Sequence, residues 1–581
     1  MYTQQAELCQ RLLREHYGPL VEAVGAVLIR EGRLHVGALL RRTGLGPLSV
    51  RQALAVLVQH SLATHAQARE GARMVTYYSA NMHGILRLQR AGLYLALVEE
   101  RMGKEGLAVF RAVLLHGCLS ISAARSQLGF GQLGAAAKKK FNIAVAKLVR
   151  ERFLVAVEAK DAVTRADRTI QAEASEIAKL DGPPTAKDLQ KIRERINVRD
   201  DEEYHSTAIV GLKRGAAQAA TDSNGGAPKV IIGPDGRAII VDGGADGAQE
   251  AAAADNDAVD DKQCFRVYFD RLDVFLRNKQ VVNYFADKYN EAAGVVLKTV
   301  LRLTEAQTRT CRDRMSERVT ANQIMQNIPA DARLEEAVDM GDSVFMQGAM
   351  DDGDGSGARA RRGRAAFALL ELLRTDASGV LSRADDRGSG VYRVNFERAA
   401  AVLRDQCVDT LIVERYGSVH ARIVRVLRDQ QKLDEKTVSH LAMLPMDQCR
   451  ERLHELSLAG FVATVEIPRT ADRNPSRMFY LWHVDPHRQV CAALRLVFQT
   501  LSNVIQRSTA ETAARAALLD KSRRDDVVAD PSLLAPSERR ELRTACSIRQ
   551  RLDVAALRLD RMLLLVHDIS PRAAAAAAAA S

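Results

Sequence analysis

Aromatic residues and paired cysteines are scarce in this chain. Phe, Tyr and Trp make up 5% of 581 residues, with a single Trp, although 47% of the residues are hydrophobic. The cores are therefore expected to consist mainly of Leu, Val and Ala, which favours helices over β-sandwiches. The eight cysteines are scattered, with no C-x-x-C and no ligand-like pairing with His. This distribution argues against disulfides and structural zinc and is typical of a reduced intracellular protein.

Long apolar runs are also missing. None approaches the ~20 residues that a membrane-spanning helix needs. The N-terminal residues MYTQQAELCQRLL are amphipathic and contain no signal-peptide hydrophobic region. We expect a soluble, intracellular chain.

The sequence contains none of the common catalytic motifs. It has no G-x-x-x-x-G-K-[ST], no G-x-G-x-x-G after a strand, no H-E-x-x-H and no G-x-S-x-G. The thirteen histidines are dispersed, and four of them (His420, His440, His454, His483) lie near the C-terminal end without metal-ligand spacing. We expect no enzyme activity, no cofactor and no metal site.

The length and the charge leave room for several domains and an acidic partner. Cores rarely exceed ~250 residues, so 581 residues predict several domains. The formal net charge is +11, which fits binding to an acidic partner. The same excess, spread over a long chain, is also explained by solubility alone.

The stretch from Glu414 to Val484 has a recognisable order of elements. Apolar residues recur at helical spacing through three short segments, and two strand-like runs follow, 461–467 and 478–484. A polar loop with Pro468, Asn474 and Pro475 separates these runs. Three helices followed by a β-hairpin predict a winged helix, in which the third helix can enter a nucleic-acid groove.

The N-terminal end repeats this stretch at a constant offset. Glu15-His16-Tyr17-Gly18 matches Glu414-Arg415-Tyr416-Gly417, 399 residues later. The offset, without a gap, also aligns hydrophobic positions of the helices and the hairpin, pairing Leu28 with Leu427, Leu54 with Leu453 and Leu62 with Phe461. The chain is therefore expected to contain several copies of one module.

We predict a mainly α fold with small β-hairpins, in which tandem winged-helix domains precede a C-terminal α-helical coiled-coil hairpin. The first and second modules are assigned to 1–83 and 84–160, the third module, with an insertion, to 263–400, and the fourth module to 401–485. Residues 161–262 are assigned to a largely flexible linker with one small hairpin (Val230–Ile232, Ala238–Val241), 486–570 to the coiled-coil hairpin and 571–581 to a low-complexity tail.

Four basic clusters are candidate DNA contacts. They lie at the first wing tip, before the predicted third helices of the second and third modules, and in the fourth wing. Their residues are Arg69 and Arg73; Lys138, Lys139 and Lys140; Arg359, Arg361, Arg362 and Arg364; and Arg469, Arg473 and Arg477. Phosphate binds Lys and helix N-termini readily, and flexible Arg/Gly tracts can bind nucleic acid. A solvated surface explains the lysines equally well, and an unstructured loop is the alternative for Arg359 to Arg364.

Two apolar seams near the C-terminus are candidate partner contacts. The first follows a heptad spacing and the second lies beyond Pro531 and Pro536. The seam residues are Val490, Leu494, Val497, Leu501 and Val504, then Leu552, Leu559 and Leu563. They predict an antiparallel helical hairpin whose remaining apolar face takes a partner, although a core helix would show the same pattern.

Several segments resemble one known family. The segments are EIPRTADRNPSRMFYLW (466–482), Leu8-Cys9, EHYGP (15–19), VLVQHSL (56–62), ERYGS (414–418) and Ala421-Arg422-Ile423. They are similar to the third-largest subunit of DNA-directed RNA polymerase III, the largest member of a heterotrimer specific to that enzyme. The resemblance covers both ends of the chain but not the linker, the insertion or the tail.

This resemblance implies four winged helices, a C-terminal coiled coil and a nuclear, non-catalytic polymerase subunit. It implies two smaller heterotrimer partners, a seat beside the clamp of the largest subunit, and contact with promoter DNA and initiation factors. The role implied is promoter opening and initiation on genes for tRNA, 5S rRNA and other small RNAs. Magnesium and catalysis would belong to other subunits.

Two other functions remain open at the level of sequence. One is a free-standing winged-helix regulator that binds specific DNA sequences, although the third helix of the first module offers few base-reading side chains (Arg51, Gln52). The other is a scaffold that binds only proteins, because winged helices serve both purposes.

Overall fold

A computed structural model describes residues 2–71, 73–129, 135–179, 185–206, 263–329, 334, 356–384, 390–468 and 478–569, together with the short strands 212–213, 230–232, 238–240 and 258–259. The chain forms two compact units, one built mostly from residues 6–272 and the other mostly from residues 273–581.

Four small antiparallel sheets share one topology. Each module has a leading helix followed by the three helices of the winged helix, which are called its first, second and third helices. In each sheet, a strand of two or three residues that directly precedes the second helix pairs with the last strand of the hairpin. The last strand therefore lies in the middle of the sheet, between the short strand and its hairpin partner. This arrangement, next to three helices, is the winged-helix fold and confirms the prediction of a mainly α chain of such modules.

The first module closely follows the prediction. Its helices are Tyr2–Tyr17, Pro19–Glu31, Val36–Thr43 and Pro47–Gln59, and its strands are Leu34–His35, Ala63–Glu70 and Arg73–Ala80. The core is aliphatic, with Leu12, Val24, Leu54 and Leu57 nearly inaccessible to solvent. Aliphatic side chains at helical spacing thus account for the core without aromatic residues.

The second module completes its sheet with a distant strand. Its helices are Met82–Arg87, Ala91–His116, Ile121–Gln127 and Ala135–Arg150, and its strands are Cys118–Ser120, Leu154–Ala156 and Cys264–Val267. The last strand pairs with both others, with Phe265 opposite Leu119 on one side and Ala156 on the other. The boundary predicted at residue 263 is therefore wrong, because Cys264–Val267 belongs to the second sheet.

Residues 157–263 are consequently an insertion at the tip of the second wing. Two helices, Arg165–Ile177 and Ala186–Ser206, lie in it and are joined by the ion pairs Arg193–Glu173 and Arg195–Glu176, each 3.0 Å long. The prediction of a largely flexible linker is thus corrected for these two segments. The predicted small hairpin is confirmed by strands Val230–Ile232 and Ala238–Ile240.

The third module is built from longer helices. Its helices are Phe269–Lys288, Glu291–Thr304, Ala321–Asn327 and Ser356–Thr375, and its strands are Val319–Thr320, Leu381–Arg383 and Val391–Val394. The single helix predicted from Asn283 to Leu303 is two helices, because Asn290 accepts a hydrogen bond from the Ala293 amide and caps the second one.

The fourth module reproduces the first at the predicted offset of 399 residues. Its helices are Phe396–Tyr416, Ser418–Gln430, Glu435–Leu441 and Met446–Ala459, and its strands are Lys432–Leu433, Ala463–Pro468 and Met478–His483. Every helix ends within one residue of the position that the offset predicts from the first module. The internal repeat is therefore a repeat of structure.

Two long C-terminal helices, Pro486–Ala514 and Pro536–Leu563, pack against each other. They run antiparallel, since Phe498 in the first half of one lies 6.2 Å, ring to ring, from His567 just beyond the end of the other, and Lys521, shortly after the first helix, pairs with Glu538 in the first turn of the second. Short helices Ala516–Ser522 and Asp525–Ala529 and a 3-10 turn connect them. A π-helical turn, Leu564–Asp568, follows the second long helix.

This C-terminal turn is fixed to the third module. The carbonyl oxygen of Asp568 accepts hydrogen bonds from Arg312 Nε at 3.1 Å and from the Cys311 thiol at 3.6 Å. Nearby, the fully buried Arg277 lies with its guanidinium carbon 3.6 Å from the Phe396 ring centroid and donates to the Cys311 carbonyl. The helical hairpin is therefore an integral part of its unit.

Gly18 and Gly417 separate the leading helix of their modules from the first helix of the winged helix. Gly18 has φ 84° and ψ −179°, and Gly417 has φ 101° and ψ 168°. This region is nearly restricted to glycine, and a side chain in it costs ~1–3 kcal/mol.

We expect Gly18→Ala to destabilise the unit built mostly from residues 6–272 by ~1–3 kcal/mol. A Cβ at residue 18 would contact no neighbouring atom, but the backbone conformation there is strained for any residue with a side chain. Gly46→Ala is the matched control, since Gly46 has φ −64° and is equally open. Thermal unfolding of the two variants measures the difference. Equal losses of stability would contradict the strain argument.

Asp376 links two helices of the third module. Its carboxylate accepts hydrogen bonds from Lys288 Nζ at 2.6 Å, from the Tyr289 hydroxyl at 2.7 Å and from Ser378. Burial alone would raise the pKa of Asp376, but these hydrogen bonds outweigh it and lower that pKa to about 2. The pKa in the folded protein is thus below the ordinary value, so the stabilisation is complete above about pH 4 and is lost as the pH falls toward 2.

Asp376→Asn is therefore expected to destabilise the third module by ~2 kcal/mol at neutral pH. Hydrogen exchange of the helix Ser356–Thr375 would report the loss, which should shrink as the pH is lowered toward 2. Asp287→Asn, at an exposed position one residue before Lys288, should have little effect. A loss for Asp376→Asn that does not depend on pH would contradict the assigned role of its charge.

Candidate nucleic-acid and partner surfaces

The first wing is a hairpin of two eight-residue strands with a mixed-charge tip. Arg69 and Arg73 are exposed, as predicted, but Glu70 lies directly opposite Arg73. Arg69 Nε donates to the carbonyl oxygen of Gly71 at 3.1 Å. Glu70 accepts a hydrogen bond from the Tyr77 hydroxyl, which raises the pKa of Tyr77. DNA contact by the two arginines stays a prediction.

The predicted lysine triplet lies inside the third helix of the second module. This helix begins at Ala135, so Lys138 and Lys140 occupy its first two turns and both are exposed. Successive residues of an α-helix are rotated by about 100°, so the side chains of Lys138 and Lys140, two positions apart, lie on nearly opposite sides of the helix. The structure therefore separates a cluster that is continuous in sequence, and the side chain of Lys139 is not among those described.

A different basic surface emerges along the exposed side of this helix. Lys140 and Lys147 lie seven residues apart on one face, with Ile143 between them and 45% exposed. The opposite face, with Phe141, Val145 and Leu148, is buried. We call Lys140, Ile143 and Lys147 the basic stripe. Sequence reasoning missed Lys147, although its spacing of two helical turns from Lys140 was available as a signal.

The arginine cluster of the third module also belongs to a helix. Arg359, Arg361, Arg362 and Arg364 all lie within Ser356–Thr375, so the prediction of a flexible tract before the helix is wrong for them. Arg362 is half-buried and donates to the Pro329 carbonyl oxygen at 2.7 Å. Arg364 is also half-buried, and the side chains of Arg359 and Arg361 are not described. Arg362 therefore makes a structural contact. DNA binding by the cluster remains a prediction.

Near the C-terminal end of this helix, Glu371 pairs with two arginines, one on the helix and one on the wing. Glu371 accepts hydrogen bonds from Arg374, Arg383 and the Tyr392 hydroxyl. Burial favours the neutral carboxyl, but these three donors together lower the pKa of Glu371. The C-terminal half of the helix is therefore held against the wing.

The fourth module presents a surface of different character. The third helix, Met446–Ala459, exposes Asp447 and Glu451 on its outer side, and Leu458 is 77% exposed. Met443, in the turn before this helix, is 85% exposed. Acidic and apolar groups on this face are unsuited to phosphate, and they suit a protein partner. The predicted arginines Arg469, Arg473 and Arg477 lie in 469–477, outside the described residues.

One internal pair shows how the fourth module departs from its repeat. Buried His420 lies 2.6 Å, Nε2 to carboxylate oxygen, from Glu455. This hydrogen bond lowers the pKa of Glu455. The offset of 399 places Val21 and Val56 at the equivalent positions of the first module, so two valines there correspond to a hydrogen-bonded pair here.

The predicted partner seams are largely covered by the chain itself. Val490, Leu494, Val497, Leu501 and Leu563 are at most 7% exposed, and Val504, Leu552 and Leu559 are half-buried. They lie in the contacts that the two long helices make with each other and with the rest of their unit. The prediction of an antiparallel hairpin holds, but the buried residues are not available to a partner as predicted, because intramolecular packing already removes them from water.

The described residues offer no cluster of His, Cys, Asp or Glu that could hold a metal ion. All eight cysteines are free thiols. Within the same part of the chain, no helix has the length and apolar character to cross a bilayer.

Three family models match the chain. The model described as "RNA polymerase III subunit RPC82 helix-turn-helix domain" matches residues 7–68, "RNA polymerase III subunit RPC82" matches residues 144–403, and "POLR3C, C-terminal winged-helix domain" matches residues 408–484.

Curated relatives match nearly end to end. DNA-directed RNA polymerase III subunit RPC3 of Danio rerio is 26% identical over 534 residues, covering 91% of this chain and 88% of the relative. The Homo sapiens protein of the same name is 24% identical over 589 residues, covering 97% and 98%. The Emericella nidulans protein is 26% identical over 631 residues, covering 97% and 99%.

Because the C-terminal seam is internal, Leu494→Ala and Leu501→Ala should each destabilise the isolated chain by ~2–5 kcal/mol. Thermal unfolding in the absence of any partner provides the measurement. Val554→Ala, at a 49%-exposed position on the second long helix, is the control and should change little. If the two Leu variants lost partner binding but no stability, the seam would be an open docking surface after all.

Proposed function

Because this chain belongs to the RPC3/RPC82 family of RNA polymerase III subunits, and is thus a non-catalytic subunit of that enzyme, we propose that it acts in promoter opening and initiation. The genes served would be those for tRNA, 5S rRNA and other small RNAs. The chain would work in the nucleus, with promoter DNA and initiation factors as further partners.

The observation that carries this proposal is the unequal charge of four similar modules. The third helix of the second module has four lysines and one arginine and no acidic residue, and that of the third module has five arginines and one glutamate. The corresponding helices of the first and fourth modules have one arginine, and two arginines with three acidic residues, respectively. Two modules are therefore suited to phosphate contacts and two are not.

The fourth module supports docking on protein. Met443 and Leu458 expose apolar side chains beside acidic ones in the fourth module, a combination that fits contact with the polymerase clamp or with the two smaller heterotrimer subunits. Such anchoring would leave the basic helices of the second and third modules to hold DNA while the strands separate.

The alternatives explain less of this arrangement. A free-standing sequence-specific regulator needs several side chains that read base edges, whereas the exposed side of the first module's third helix presents two, Arg51 and Gln52, beside the apolar Leu48. A scaffold that binds only proteins leaves the acid-free helix of the second module without a role.

The test is transcription by RNA polymerase III from which this chain and its smaller partners have been removed. The depleted enzyme should extend RNA on a pre-melted template but fail on closed tRNA-gene promoters, and adding the chain back with its partners should restore opening. Permanganate reactivity of unpaired thymines would report opening directly. Equal opening with and without the chain would overturn the proposal.

A further inference from the structure

We propose that an acidic run of this chain docks on the basic stripe of the second module and shields it from other anions. The acidic run consists of Asp255, Asp257, Asp260 and Asp261, near the end of the insertion 157–263. The docking does not depend on the proposed function, whereas its consequence, weaker binding of DNA by the free chain, rests on it.

The basic stripe is an open surface with one sign of charge. Lys140 and Lys147 are exposed, on the side of the helix opposite the buried Phe141 and Val145. The helix Ala135–Arg150 contains no acidic residue, so neither lysine has a neighbour on its own helix that would neutralise it. The stripe therefore attracts anionic groups from other segments.

The acidic run carries the opposite charge at a matching spacing. Residues 255–261 read DNDAVDD, with four aspartates and no basic residue. In an extended segment, Asp257 and Asp261 share a side and are about 13 Å apart, at about 3.3 Å per residue. Seven residues of α-helix separate Lys140 from Lys147 by about 10.5 Å along the axis. The long lysine side chains cover the difference, so two carboxylates can meet both ammonium groups at once.

The fold holds the acidic run beside this helix. The strand Ala258–Val259, in the middle of the run, pairs with Leu212–Lys213, and its Cα atoms come within 8 Å of those of the helix Ala135–Arg150. The strand Cys264–Val267, a few residues later, belongs to the sheet of the same module. Covalent geometry keeps the Cα atom of Asp261 within about 7 Å of that of Val259. The charge of the run is therefore confined to the neighbourhood of the helix.

The run differs from the acidic residues earlier in the insertion. There, Glu173 pairs with Arg193 and Glu176 pairs with Arg195, each at 3.0 Å. The seven positions 255–261 contain no basic residue that could play this part. The nearby lysines of the stripe supply it instead.

Tethering favours this occupant over a separate acidic protein. A segment joined to its site by a short linker has an effective concentration of roughly millimolar order, which a partner in solution must match. Duplex DNA has a higher charge density than four aspartates over seven residues provide, and it gains affinity from the release of counterions. The acidic run is thus an internal counter-charge that DNA replaces and weaker anions do not.

Carbodiimide coupling of the full chain, free of DNA, tests the docking directly. The reagent joins an amine to a carboxylate in contact with it as an amide, and takes up the water released to become a urea. Mass spectrometry of the digested monomer should find peptides that join Lys140 or Lys147 to residues 255–261. The yield should fall at least about fivefold between about 50 mM and 1 M salt, where the Debye length shortens to about 3 Å. Lys104, equally exposed on another helix of the same module, is the control and should not couple to the run.

Removing the charge of the run should expose the stripe. With all four aspartates of the run changed to asparagine, the chain should bind a short duplex of unrelated sequence about threefold more tightly, as expected for a stripe covered in about two thirds of the molecules. Adding Lys140→Gln and Lys147→Gln should abolish this gain. The charge-matched control alters four exposed acidic residues elsewhere and should give at most half of the gain; its changes are Asp447→Asn, Glu451→Gln, Asp520→Asn and Asp525→Asn.

The coupling experiment uses the unaltered chain, so it tests the docking even where a variant folds poorly. Absence of coupling to both lysines, or equal coupling to Lys104, would overturn the inference. So would coupled peptides found only in covalent dimers, because the run would then come from a second copy. Equal duplex affinity with and without the charge of the run would overturn the shielding. If coupling occurred but no form of the chain bound DNA, the docking would stand and the DNA contact in the proposed function would fall.

Discussion

The position of one strand determines how each module is built. In all four sheets the last strand lies between the other two, so each sheet is complete only after the three helices and the first hairpin strand are in place. The short first strand has two or three residues and pairs only with that last strand. The backbone of the short strand is therefore satisfied by residues that follow much later in the chain, and this pairing fixes the second and third helices against the sheet.

The second module shows how much chain this pairing tolerates. Its two hairpin strands are separated by residues 157–263, and yet their register is maintained, with Arg266 opposite Val155. Closing a loop of that length instead of a tight turn costs about 3 kcal/mol, at about 0.6 kcal/mol for each doubling. Folded helices within the insertion and the ion pair between Arg266 and Asp161 at 2.9 Å offset part of that cost. The tip of the second wing thus accommodates 157–263 while the sheet of its module stays paired.

The helices and wings of the modules could be predicted from the sequence more accurately than the surfaces that bind DNA or partners. Apolar spacing, the offset repeat and the turn residues specified the helices and wings of the first and fourth modules, because these depend on local periodicity. The pairing of Cys264–Val267 with the second module cannot be predicted from the sequence, because pairing over such a distance leaves no local signal. Proximity in sequence groups Lys138 and Lys140, whereas the helix directs them apart. The heptad pattern of Leu494 and Leu501 does not reveal whether their neighbour is another protein or the same chain.

The central claim is that modules with one fold divide DNA contact and protein contact between them according to surface charge. Photo-crosslinking amino acids placed at Ile143 and at Leu458, both exposed on the third helices of their modules, test it in an assembled promoter complex of RNA polymerase III. The account predicts that the probe at 143 labels promoter DNA and that the probe at 458 labels a polymerase subunit. Labelling of DNA at 458, together with labelling of protein alone at 143, would contradict it.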